Sequence, residues 1–170
     1  MRNIHLATLK IDLRNAIKEM RIQDQFYRTQ DYEGNIAEQN KIDSINAKKI
    51  IKIFNDFGYP NENIIGEFNI DNSFVDIVTI LLHTKDSERL DYFMPEILNF
   101  IKKGTASPKT YASMKDQYNL YHGNEQYYGS YENKTSINLN ELNRRRKIIG
   151  LPNYGYEKWR FKQLYPNEEY

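Results

Sequence analysis

Between Ile4 and about Tyr27, apolar side chains recur at Leu6, Leu9, Leu13, Ile17, Met20 and Ile22. The spacing is mostly three or four residues and predicts a first amphipathic helix. The segment Asp31 to Asn35, with Gly34, interrupts the period. Ile42, Ile45, Ile50, Ile53, Phe54 and Phe57 then predict a second helix, with Gly58 placed to cap its C-terminus. Tyr59-Pro60-Asn61-Glu62-Asn63 reads as a turn, because a proline disfavours helix at the residue before it and asparagine tolerates left-handed backbone.

Asp71, Asn72 and Ser73 offer N-caps ahead of Phe74, Val75, Ile77, Val78, Ile80, Leu81 and Leu82. This stretch is apolar nearly all round and predicts a buried central helix, with a buried strand as the alternative that its β-branched residues allow. Asp86 or Ser87 starts a fourth helix through Leu90, Phe93, Ile97, Leu98 and Ile101 to Lys102-Lys103-Gly104, with a kink or restart expected at Pro95. Ser107-Pro108 opens a fifth helix that runs to about Tyr121. Asn124 to Thr135 is polar, aromatic and non-periodic, an ordered loop or one short β-hairpin near 124–135. Asn138 or Asn140 caps a sixth helix through Leu142 and Ile148 to Gly150, and a last one spans about Tyr156 to Leu164, stopped by Pro166. The pattern predicts a mainly α fold of about six or seven helices, a single helical domain over 1–170.

Composition narrows the chemistry. The 170 residues include no cysteine, which removes disulfides, thiolate metal sites and a cysteine nucleophile. The N-terminal stretch is interrupted by charge and lacks the apolar core of a secretory signal, so a cytoplasmic location is expected. The longest strongly apolar run, Ile77 to Leu82, is far short of the roughly 20 residues that cross a bilayer, and no membrane association is expected. Lys and Arg total 24 against 23 Asp and Glu, so no global field draws the chain to nucleic acid. The 14 tyrosines spread over the whole chain, which fits AT-rich coding bias better than one dedicated surface.

Several polar motifs share an order. Asp24-Gln25-x-x-Arg28 comes first, then Phe57-Gly58-Tyr59-Pro60 with Ile65-Gly66, then His83, then Gly123-x-x-Gln126-x-Tyr128-Gly129. That order resembles a bacterial family of unknown function. In it an early D-Q-x-x-R precedes a G-W-P-like turn, a Q-H pair, a D-R pair and a late G-x-x-Q-x-Y-G-T-Q. Arg145-Arg146 and Gly150-Leu151-Pro152 match its closing R-R and G-L-P elements. This chain departs from the pattern with Leu82 before the histidine, Gln117 after Asp116 and Ser130-Tyr131 in place of Thr-Gln. The resemblance implies a shared fold and brings no known activity.

His83, at the end of the most apolar segment, is the candidate general base or binding donor, and Asp116 its candidate orienter. A histidine near a helix C-terminus is also an ordinary structural feature, as is an Asp24–Arg28 pair one helical turn apart. Asp24, Gln25, Arg28, Gln126, Tyr128 and Arg145 are the candidate ligand-binding residues; the two glycines of 123–129 let that loop bend around a small polar pocket. No metal site is expected, since His83-x-x-Asp86, His122 and His5 match no strong ligand spacing, and no cofactor is implied. Walker A, G-x-G-x-x-G and G-x-S-x-G are missing. Arg144-Arg145-Arg146-Lys147 followed by Tyr154, Tyr156, Trp159 and Phe161 mixes cations with aromatics, yet cations near a helix C-terminus are the commoner explanation and nucleic acid is disfavoured. Two readings survive: binding or hydrolysis of a small polar ligand near His83, or a non-catalytic module that binds another protein, such as an immunity or accessory protein. Whether the chain is an enzyme and what its oligomeric state is stay open at this stage.

Overall fold

The computed structural model describes residues 9–29, 33–67, 72–73, 75–131 and 138–167, which are helical with no strand among them. In chain order the helices are α1 (Ile11–Phe26), a 3₁₀ turn (Glu33–Asn35), α2 (Ile36–Phe57), α3 (Glu62–Ile65), α4 (Val78–Leu82) and α5 (Asp86–Glu88). A π turn (Arg89–Phe93) follows, then α6 (Met94–Lys102), α7 (Pro108–Tyr121), α8 (Leu139–Ile148) and α9 (Tyr156–Leu164). Backbone proximity groups them into two compact units, Met1–Ala106 and Ser107–Tyr170.

In the first unit α1 buries Leu13, Ile17 and Met20, preceded by buried Leu9. Ile22 falls off this line and is 66% exposed, against the expectation that it joins the stripe. The next position on the line is Asp24, a carboxylate in the place of an apolar side chain, completely buried. Leu6 and the expected helical start at Ile4 lie outside the described residues. Arg14 is buried too; its guanidinium donates to the carbonyls of Ile65 (3.1 Å), Gly66 (3.2 Å) and Ser73 (2.7 Å), tying the non-periodic stretch after α3 to the first helix.

α2 follows its expected course and ends at Gly58, whose N–H donates to the Phe54 carbonyl and whose φ of 76° suits glycine. Its buried line is Gln39, Asn46, Ala47, Ile50, Ile53 and Phe54, while Ile45 and Phe57, expected inside, are exposed because they sit off that line. Phe54 centres an aromatic cluster, with ring centroids 5.0 Å from Phe100, 6.0 Å from Phe93 and 6.1 Å from Tyr59. Within the predicted turn, Asn61 accepts the Asn63 N–H at 3.0 Å and starts the short α3.

The expected central helix is cut to five residues, Val78–Leu82. The Asp76 carboxylate accepts the Val78 N–H at 2.7 Å and sets the start there, after Val75 and Ile77. Phe74 lies outside the described residues. Pro95 marks a restart, as expected, standing in the first turn of α6, which begins at Met94 directly after the π turn. It has no N–H for the Asp91 carbonyl and its ring would strike that oxygen; the preceding turn is widened into the π turn, closed by the Met94 N–H on the Arg89 carbonyl. The widened turn buries Arg89 and exposes Leu90, the reverse of the apolar pattern.

In the second unit Ser107 caps α7 by accepting the Lys109 N–H at 3.2 Å, with Pro108 at the first helical position. Asn138 caps α8 in the same way. Ala112, Tyr128 and Leu151 form a small core, flanked by Tyr111 and Ile149. No strand forms among the described residues of the expected hairpin; 124–131 is a loop, and 132–137 lie outside the description. Gly129, at φ 63°, leaves no room for a side chain, since a Cβ there would stand 2.9 Å from Cε2 of Tyr154. Gly129→Ala is expected to lower stability by about 1–2 kcal/mol, through left-handed backbone and this contact together. Urea unfolding of the two proteins measures it, and an unchanged midpoint would contradict the account.

Candidate functional site

The polar residues singled out in the sequence fall into two clusters, one in each unit. The first is built on Asp24. Its carboxylate oxygens lie 2.8 and 3.0 Å from Nδ1 of His83, and Gln25 Nε2 donates to Oδ2 at 2.6 Å. Arg28 stands one turn further on, yet its ion pair with Asp24 is loose at 4.0 Å; one nitrogen donates instead to the Asp24 backbone carbonyl (2.9 Å) and the other to Asp43 of α2 (2.7 Å). Gln39 Nε2 donates to the second Asp43 oxygen at 2.8 Å. The chain His83, Asp24, Arg28, Asp43 and Gln39 thus links the end of α4 to α1 and α2 by alternating donors and acceptors.

His83 leaves α4 at φ −105° and ψ 6°, with its N–H on the Ile80 carbonyl at 3.0 Å. The Asp24 side chain has no exposure, whereas that of His83 keeps 22%. A carboxylate only accepts, so Nδ1 carries the proton; in the neutral ring Nε2 is then left with a lone pair, the arrangement of a general base. The neighbouring hydroxyl of Thr84 donates to the Leu81 carbonyl at 2.7 Å and is already engaged in the helix end. The fully buried Gln39 Oε1 and Asn46 Oδ1 have no hydrogen-bond partner among the described residues, which leaves two spare acceptors on the α2 side. A depression of about 300 Å³ is lined, among the described residues, by Lys18, Arg21, Ile22 and Gln25. Gln25 belongs to both the depression and the Asp24 cluster.

The second cluster faces inward. Asp116, completely buried, accepts three backbone N–H groups: Tyr127 at 2.6 Å and Tyr128 at 2.9 Å on one oxygen, Ser130 at 2.8 Å on the other. The carboxylate on Nδ1 of His83 is that of Asp24; Asp116 serves the loop of its own unit. Gln126 is buried, and its amide both accepts from the Tyr131 N–H (2.7 Å) and donates to the Tyr131 carbonyl (3.2 Å). Tyr128 is buried; burial, and after it the neighbouring Tyr111, Tyr127 and Asp116, push its hydroxyl far above the usual range. Arg146 reaches under the loop to the carbonyls of Tyr128 and Pro152, both at 2.7 Å, and burial pulls its guanidinium below the usual arginine range. Arg145 lies over the Tyr127 ring at 4.2 Å. Arg144 and Arg145 both bond Glu141 and hold its carboxyl down at about 2. Three cations of the Arg144–Lys147 run are thus engaged within the unit.

Among the described residues no group of three or more His, Asp or Glu side chains is placed to hold a metal ion. His122 bonds the Tyr118 carbonyl at 2.8 Å, and His5 lies outside the described residues. Gln39, Asp43 and Asn46 were not singled out by sequence, yet they sit at i, i+4 and i+7 on one face of α2, with Gln39 and Asn46 buried; polar residues on an apolar stripe are the signal that would have found them. Compared with protein families, with curated proteins and with solved structures, the chain finds no match. Asp116→Ala would strip three backbone donors of a charged acceptor and is expected to cost about 3 kcal/mol in urea unfolding. A loss under about 1 kcal/mol would mean that water replaces the carboxylate in the loop.

Proposed function

We propose that the chain is a bacterial, cytoplasmic protein that binds or hydrolyses a small polar ligand, with His83 as binding donor or general base and Asp24 as the group that orients it. The observation that carries this reading is the 2.8 Å contact between a completely buried carboxylate and a partly exposed imidazole. Burying a charge is costly unless it is paired, and here the pairing fixes one histidine tautomer and one ring orientation. Gln25 and Arg28 hold the Asp24 side of the pair. The nearby depression is of the size that admits a small molecule. The order of the Asp24-Gln25-x-x-Arg28 motif and His83 supports kinship with the bacterial family that the sequence resembles.

The test is a thermal-shift panel of small polar esters and amides on wild type, His83→Gln and Asp24→Asn, followed by proton NMR of any compound that binds. A ligand at about 100 times its Kd is expected to raise the wild-type Tm by roughly 5 °C, and to do so much less in His83→Gln. Turnover should fall at least about 100-fold in His83→Gln and less in Asp24→Asn. A panel in which every bound compound stabilises wild type and His83→Gln equally would defeat the proposal.

A second reading, protein binding, is favoured by α9. None of its residues is buried, and Tyr156, Trp159 and Leu164 are all exposed. Aromatic side chains of this kind dominate binding energy at interfaces. It predicts one specific protein recovered by the wild-type chain and lost with a Tyr156→Ala/Trp159→Ala double variant, with Asp24 and His83 irrelevant; recovery that ignores the double variant would remove it.

A further inference from the structure

The helical pattern assigns Leu90 to the core and Arg89 to solvent, and the π turn exchanges them. A five-residue turn adds one residue to the register and rotates the side chains that precede it, so that Arg89 points inward with almost none of its surface exposed. From there one guanidinium nitrogen donates to the carbonyl of Leu82 at 2.6 Å and to that of Thr84 at 3.1 Å. These two residues stand on either side of His83.

We propose that Arg89 is a positioning residue for His83, holding the backbone that carries the imidazole while Asp24 holds the ring. The inference rests on the reading of His83 and Asp24 as the working pair. A guanidinium at a helix C-terminus is in general an ordinary cap for terminal carbonyls. Here the cap spans the histidine: the Leu82 carbonyl belongs to the peptide plane that enters His83 and the Thr84 carbonyl to the plane that leaves the next residue, so the short segment carrying the imidazole is held at both ends. The Asp24 contact then fixes what remains, the rotation of the side chain. The two restraints come from opposite ends of the residue and from different elements, α1 and the π turn. Placement of this kind matters because a base displaced by about 1 Å loses on the order of 100-fold in rate. The π turn that Pro95 imposes is what brings a long cation, in place of a leucine, beneath the end of α4.

The experiment reads the His83 tautomer in the full-length chain labelled with ¹⁵N-histidine, using long-range ¹H–¹⁵N spectra and assigning the His83 signal by its loss in His83→Gln. Wild type is expected to hold the Nδ1–H form. Arg89→Met, with an unchanged circular dichroism spectrum, is expected to lower the share of that form by roughly half, and Arg89→Lys, which keeps one charged donor, to restore most of it. Folded Arg89→Met protein with the wild-type tautomer share would overturn the proposal, since Arg89 would then be a core clamp with no bearing on the imidazole. Loss of the fold in both variants would overturn it in the same way. A His83 tautomer share that is unchanged in Asp24→Leu, which offers no acceptor, would instead defeat the pair itself, so the two failures are told apart.

Discussion

The first unit depends on one buried carboxylate. Asp24 occupies the position on α1 that the apolar line through Leu13, Ile17 and Met20 reserves for a hydrophobic side chain. A charge there is tolerable only if donors surround it, and the network that begins with those donors draws on three different stretches of chain. His83 comes from the end of α4, Gln25 and Arg28 from α1 itself, and through Arg28 the network reaches Asp43 and Gln39 on α2. An apolar residue would let α1, α2 and α4 slide or rotate against one another at modest cost, because apolar contact is non-directional. Hydrogen bonds to a charge fix register and rotation as well as proximity. The polar network is thus both the most demanding part of this core and the part that specifies its geometry.

Much of the helical layout is legible in the apolar spacing, and the failures share a cause. α2, α7 and α9 sit where periodicity, Gly58, Ser107-Pro108 and Pro166 place them. The shortened α4 and the π turn were decided by single polar or cyclic side chains, Asp76 and Pro95, whose hydrogen-bonding consequences no hydrophobic count contains. The burial of Arg14, Asp24, Gln39, Asn46 and Arg89 was likewise invisible to a reading that sends polar residues outward. For Asp24, Gln39 and Asn46 the position lay on a buried line and the residue type argued against it, whereas Arg89 was turned inward by the π turn. A conflict of that kind between position and chemistry is itself informative, because burying such a group requires partners and partners fix structure.

The motifs that share an order in the sequence divide by role. Asp24, bonded in turn by Gln25 and Arg28, engages the partly exposed imidazole of His83. Asp116, Gln126, Tyr128 and Arg146 spend their hydrogen bonds on the loop from Gln126 to Tyr131 and on the Pro152 carbonyl. Order along the chain could not separate these roles, since both groups mix carboxylates, amides and cations at comparable spacing. What separates them is the partner of the carboxylate: side chains on Asp24, backbone N–H groups on Asp116.

The loop held by Asp116 has one more consequence. Backbone N–H groups that converge on one point form a cradle for anions, and many proteins fill such cradles with a phosphate or sulfate taken from solution. Here the N–H groups of Tyr127, Tyr128 and Ser130 converge on a carboxylate that the chain itself provides from α7. The occupant is covalently tethered, so its effective concentration exceeds that of dissolved anions in ordinary buffers, and it never dissociates from the molecule. The cradle is a receptor already filled by a built-in ligand, so dissolved anions find its three N–H groups occupied.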